Sequence, residues 1–345
     1  MIFTIQIKSR LILFLCIFSV QLAVSQSASE KCMLLFHTGF EGTTRVVEDN
    51  ATKKGILGYF KGQDNTVSSP NNWDSITNGN AISRFFILYE GGDSTMRYAR
   101  VIPEPGNPKN HVLKYWVNQA NAFDFKKARV QTQFITNPTE GIHEFYQSVR
   151  IFLPKDMEIL KDYPEGIGNT KTYSYPDWLS IFELWNKPPS FPKSHCRITL
   201  SLDKEPGSNH DLYFKLETQD RDIDSIKKKD VFVNTWKCIN KEVPVPFGRW
   251  ITLEIYFKEG NAENGRMYVT YTSGKGKKQV LFDVKNITYY TKETHPKGFD
   301  DCAVMKFYSS KRMADYMREK GKALEIYWDD LSFWKNLKPQ GMKLK

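Results

Sequence analysis

The chain has 345 residues, a formal net charge of +10 and a pI of about 9.1. With 40% hydrophobic and 26% charged residues it is neither a disordered chain nor a bundle of membrane spans. Its length suits one large sandwich or barrel with long loops, and its charge favours anionic partners.

In chain order, Lys8 and Arg10 precede an apolar run from Leu11 to Val20 that fades into small and polar residues around Ala23 and Ser25. This is the order of a signal peptide. Residues 1–25 are therefore read as a leader cut near Ser25, because the run is shorter than the roughly 20 residues a spanning helix needs. No later stretch is apolar enough to cross a bilayer, so no stable membrane insertion is expected. Removing the leader lowers the net charge to +8. Outside the cell the anionic partner expected is an acidic polysaccharide, not nucleic acid.

Residues 26–345 are read as a single all-β domain, since short alternating segments are separated by Gly, Pro, Asn and Asp. Ile198, Leu200 and Leu202 alternate with Arg197, Thr199 and Ser201. The same period of two runs through Leu212 to Glu217 and through Trp250 to Phe257. The stretch Glu259 to Gly265 ends in Asn-Gly, which suits a hairpin turn into a strand over Arg266 to Thr272. A loop at Ser273 to Lys277 then returns the chain to a strand over Gln279 to Val284. Only Lys311 to Lys322 reads as helix, with Ser310 as its N-cap. The stretch from Lys161 to Asp177 reads as a long loop, and long ordered loops tend to carry function.

Once Cys16 leaves with the leader, Cys32, Cys196, Cys238 and Cys302 remain, an even set in an oxidising compartment. Two disulfides have three connectivities. Cys32–Cys302 with Cys196–Cys238 is preferred, against four reduced, buried thiols. The spacings do not suit structural zinc.

Two end segments carry a family resemblance: Leu34 to Thr43, containing Phe40-Glu41-Gly42, and Leu324 to Trp334, containing Trp328-Asp329-Asp330. They resemble the paired terminal strands of concanavalin A-like jelly rolls, β-sandwiches of two stacked antiparallel sheets. The segments Glu144 to Pro154, Asp177 to Asn186 and Phe247 to Ile255 are similar to the secreted polysaccharide lyase branch of that superfamily. The resemblance implies a structural calcium ion where the terminal strands meet, held by Glu41, Asp329 and Asp330. The alternative for the two aspartates is a turn or backbone hydrogen bonds.

The resemblance also implies a polymer groove across the concave sheet. Glu144, Tyr146, Ser148 and Arg150 share one face of their strand, Glu183 and Trp185 share one face of theirs, and Arg197 with Thr199 would extend it. Glu183, Trp185, Arg197, Trp178 and Tyr175 are the expected substrate-binding residues. β-Elimination on a uronate polymer needs a cation or amide to neutralise the sugar carboxylate and a base at the adjacent carbon. Arg150, Gln147 and Arg197 fit the first role; Tyr146, His143 and His195 fit the second. The Gln-x-His motif of alginate-type lyases is not present, since the matching segment reads Glu183-Leu184-Trp185. That departure leaves a non-catalytic glycan binder on the same fold as the alternative. A glucanase reading would need several acids alternating on one strand, and Ile181 to Asn186 holds only one. No phosphate loop, G-x-S-x-G elbow or H-E-x-x-H pattern occurs.

Overall fold

Period-two alternation becomes nineteen strands among the described residues of the computed structural model. Those residues are 31–49, 57–66, 71–73, 82–89, 93–121, 126–136, 141–168, 177–223 and 229–342. The segment expected to be a leader, Tyr173 and Tyr175 lie outside them. The first ten strands are β1 (Met33–Thr38), β2 (Arg45–Asp49), β3 (Leu57–Lys61), β4 (Gln63–Asp64), β5 (Asn71–Asn72), β6 (Ile82–Tyr89), β7 (Arg97–Glu104), β8 (Asn107–Val117), β9 (Lys127–Thr136) and β10 (Glu144–Phe152). They are followed by β11 (Leu179–Asn186), β12 (His195–Asp203), β13 (Tyr213–Ile223), β14 (Asp230–Pro244), β15 (Trp250–Lys258), β16 (Arg266–Ser273), β17 (Gln279–Lys285), β18 (Asp301–Ser310) and β19 (Leu324–Lys335).

Met33–Lys345 form one compact unit. Its two main sheets make an all-β jelly-roll sandwich. One sheet runs β17-β16-β15-β10-β19-β8-β7, with β1 added beside β19; the other runs β14-β13-β12-β11-β18-β9-β6-β3-β2. The first and last of these strands pair antiparallel, from Met33 opposite Lys335 to Thr38 opposite Leu331, as the terminal-strand resemblance implies. One edge of β19 is thus shared: its first half pairs with β8, from Leu324 opposite Val117, and its second half with β1. Its other edge pairs with β10 along the whole length of that strand.

The core lies between the sheets and is dense in phenylalanine. The Phe333 ring sits 4.8 Å from that of Phe145 and 4.9 Å from that of Phe134, with Phe36 stacked on it at 5.8 Å. Such ring pairs add about 0.5–1.5 kcal/mol each beyond the apolar area they bury. Polar bridges also cross the core: Gln147 Nε2 donates to Val304 O at 2.8 Å, and the hydroxyls of Tyr115 and Thr132 bond each other.

The hairpin expected at Glu259 to Gly265 joins β15 to β16, closed by Lys258 opposite Arg266. The expected helix forms as α1 (Lys311–Glu319), with Met313 N donating to Ser310 Oγ at 3.3 Å. A 3-10 helix at Lys155–Asp162, which no alternation announced, buries Met157 and Leu160.

The disulfide expectation is corrected: Cys32, Cys196, Cys238 and Cys302 are all free thiols. Cys196 lies opposite Asp220, whereas Cys238 lies opposite Leu216, four residues along β13 and on its other side. A bridge between them would span about three times the 4.4–6.8 Å between Cα atoms that a disulfide allows. Cys302 is buried in the middle of the nine-stranded sheet, whereas Cys32 is exposed.

Candidate functional site

The outer face of the nine-stranded sheet carries an unusual number of charged side chains withdrawn from water. β12 turns Cys196, Ile198, Leu200 and Leu202 into the core, which leaves His195, Arg197, Thr199 and Ser201 facing out. β11 places Glu183 opposite Thr199 and Trp185 opposite Arg197. On its other side, Ala303 and Asp301 of β18 stand opposite Glu183 and Trp185. A register shift between Cys302 and Met305 lets both Val304 and Met305 pack inward, and Lys306 therefore points out beside Glu183.

Lys306 Nζ lies 2.6 Å from Glu183 Oε2, and neither side chain has more than 3% of its surface exposed. Burial works to raise the Glu183 carboxyl, but the Lys306 and Arg197 charges hold it below the usual value, so it is ionised. Burial, together with the nearby Arg129 charge, pulls the Lys306 ammonium down to about 8 against the opposing pull of Glu183. A charged pair this deep persists because each partner compensates the other's desolvation. Around it, the Trp185 indole donates to Glu183 Oε1, Arg197 NH2 donates to Gln219 Oε1, and Lys306 lies 4.9 Å from the Tyr308 ring centroid. The Arg197 guanidinium sits between two rings, 5.6 Å from Trp185 and 4.6 Å from Phe232. The Trp178 ring packs 5.3 Å from that of Tyr308.

Two further groups flank Trp185. His195 meets its ring edge-on at 5.4 Å, and burial with the charges of Arg221 and Lys187 lowers its imidazole to about 4. Asp301 accepts from Gln133 Nε2 at 2.5 Å; burial first, then the Asp300 and Glu183 charges, push its carboxyl up to about 7.

Buried polar atoms without a hydrogen-bond partner among the described residues gather here. They include His195 Nδ1, Arg197 Nε, Thr199 Oγ1, Ser201 Oγ, Gln131 Oε1 and Asp301 Oδ1. Buried polar groups in folded proteins are overwhelmingly satisfied, so the exceptions on this sheet face are groups for a water molecule or a polar ligand to satisfy.

The structure divides the expected site residues between two sheets. Arg150, Gln147 and Tyr146 belong to β10 of the eight-stranded sheet, and do not meet Glu183, Trp185, Arg197 and His195. Gln147 points into the core, and Tyr146 donates to Glu254 on the outer face of its own sheet. His143, just before β10, bonds the buried Glu259 through Nδ1 at 2.6 Å. Arg150 donates to Asp329 at 2.8 Å and Asp330 at 3.2 Å and stacks 4.6 Å from the Trp250 ring. Tyr175 lies outside the described residues. Asp301 and Lys306 were missed by sequence reasoning.

The calcium ligands expected at the terminal strands are engaged elsewhere. Glu41 accepts from the His111 backbone amide at 2.8 Å and contacts His111 Nδ1 at 2.8 Å. Asp329 and Asp330 close on Arg150, whose guanidinium supplies the positive charge there. No group of three or more His, Cys, Asp or Glu side chains able to hold a metal occurs among the described residues. As placed, this donor set does not fit calcium.

Fold and face together define a jelly-roll sandwich with a cluster of charged side chains on the outer face of one sheet. No family model matches the chain, and no curated protein matches it in sequence. Among solved structures, it is similar to an endo-β-1,4-glucuronan lyase from the fungus Trichoderma reesei, at 10% identity over 73% of this chain and 94% of that one, TM-score 0.38. It is also similar to a PL-14 alginate lyase from Aplysia kurodai, at 8% identity over 70% and 89%, TM-score 0.40. A third is the alginate lyase Aly36B, at 11% identity over 71% and 85%, TM-score 0.37. The chemistry of this face is read from its own side chains. No helix of the described residues is long and apolar enough to cross a membrane.

Proposed function

We propose that the chain is a secreted protein that binds an acidic polysaccharide on the outer face of the nine-stranded sheet and cleaves it by β-elimination. The observation that carries this reading is the cluster of buried, partnerless polar atoms among fixed charges and rings. A hydroxyl-rich chain offers donors and acceptors to that cluster, and the Trp185 ring offers an apolar face to a sugar. Arg197 supplies the cation that neutralises a uronate carboxylate and so makes the neighbouring C–H removable. His195, kept neutral above about pH 4, is the group able to take that proton. The basic net charge draws the polyanion in.

The test is incubation with alginate, glucuronan and glycosaminoglycans while following ultraviolet absorbance of the unsaturated product. The expected result is rising absorbance on at least one uronate polymer; silence across the panel rejects the reaction. A second reading, a binder without catalysis, is favoured by the closure of Lys306 on Glu183, which holds the Lys306 amine out of reach of solvent. A binder is retarded in a gel containing the polymer yet leaves the chain length of the polymer unchanged.

A further inference from the structure

We infer that Asp301 is the proton donor to the departing sugar oxygen, working across Trp185 from His195. The inference rests on the β-elimination reading and adds the half of the reaction that reading leaves open. Abstraction at C5 is useful only if the C4–O4 bond breaks, and an alkoxide leaves poorly without a proton.

Three observations single out Asp301. It stands opposite Trp185 on β18, while Arg197 stands opposite Trp185 on β12 and His195 packs against the same ring. A sugar on that ring would have one group on either side, their strands about 10 Å apart. One oxygen of Asp301 accepts from Gln133, and the other is buried with no partner among the described residues. The charged groups acting on it are Asp300 just before its own strand, Glu183 on β11 and Lys187 just beyond β11. Of these, Lys187 is engaged with Asp300, donating its backbone amide at 3.3 Å and approaching with its ammonium at 3.7 Å. Burial first, and then the Asp300 and Glu183 carboxylates, outweigh the opposing pull of Lys187, so Asp301 holds its proton near neutrality, whereas Glu183, closed on Lys306, does not. Two carboxyls with environments that drive them to opposite protonation states are a recurrent sign of divided acid–base labour.

The step balances without a co-reactant. His195 takes the C5 proton, the C–H electrons form the C4=C5 bond, C4–O4 breaks, and the leaving oxygen takes the Asp301 proton. Solvent then returns the proton from His195 to Asp301.

The experiment is Asp301→Asn, which keeps size and polarity but carries no transferable acidic proton. On whichever uronate polymer the wild type cleaves, kcat is expected to fall about 100-fold or more with KM little changed. The alkaline decline of the wild-type pH–rate profile, expected near pH 7, should be missing from the residual rate. A carboxyl titration followed by carbon NMR supplies a readout independent of turnover: one midpoint near 7 in the wild type, absent from the variant. Unchanged kcat, or a titration of Asp301 near 4, overturns this assignment alone. Silence of the wild type on the whole panel overturns the β-elimination reading and this step with it.

Discussion

Lys306 and Glu183 hold opposite charges at 2.6 Å with almost no water contact, and their energetics follow from that isolation. Removing one partner strands the other, and a buried charge left uncompensated costs about 3–5 kcal/mol. Glu183→Gln and Lys306→Met should each lower stability by that order in urea unfolding. The double variant should lose distinctly less than the sum, because the apolar replacement no longer leaves a charge behind. Additive losses would show that the pair does not interact. Glu183 was legible in the sequence as an acid beside aromatics on an alternating strand. Lys306 was not, for a definite reason. Simple alternation from Cys302 puts Val304 and Lys306 on the same inward side, and only the shift between Cys302 and Met305 turns Lys306 out. A one-residue slip reverses every later side chain, and nothing in Cys302-Ala303-Val304-Met305 announces it.

At the scale of elements, the strand containing Trp185 and the start of β18 are tied together by one glycine. Gly298 has φ +78, its amide donates to Glu259 at 3.0 and 2.9 Å, and its carbonyl accepts from the Asn186 side chain. A Cβ added there would sit 2.6 Å from Gly141 C and 2.7 Å from Ile142 N, both backbone atoms. Gly298→Ala should therefore destabilise by about 1–3 kcal/mol, a strained left-handed residue plus disturbed bonds, read as a lower midpoint of thermal unfolding. An unchanged midpoint would mean the turn relaxes at no cost. Strands such as β12 and β15 were legible because a half-buried strand writes its two faces as alternate residues. Alternation gives the face of a residue but not the sheet to which its strand belongs. Arg150 and Glu183 both read as outward-facing, and only the pairing of β10 with β15 and of β11 with β12 separates them.

At the scale of the whole molecule, stability rests on the inter-sheet core without covalent staples, since the four described cysteines are free. Burial raises the Cys196 and Cys302 thiols well above their ordinary value, which keeps them protonated and unreactive. Dithiothreitol should accordingly leave the thermal midpoint where it is; a fall on reduction would reveal a bridge. The pairing of terminal strands was legible from Phe40-Glu41-Gly42 and Trp328-Asp329-Asp330, whereas the disulfide partners were not, because parity and compartment carry no distances. That terminal pairing has a temporal side. β19 is an interior strand, with β10 along one edge and β8 and β1 along the other. While the ribosome is still short of Leu324, β10 and β8 each present a bare row of amides and carbonyls with no neighbour to claim them. The last strand to be made is thus the one that joins the two halves of its sheet, β10 with its neighbours on one side and β8 with β7 and β1 on the other.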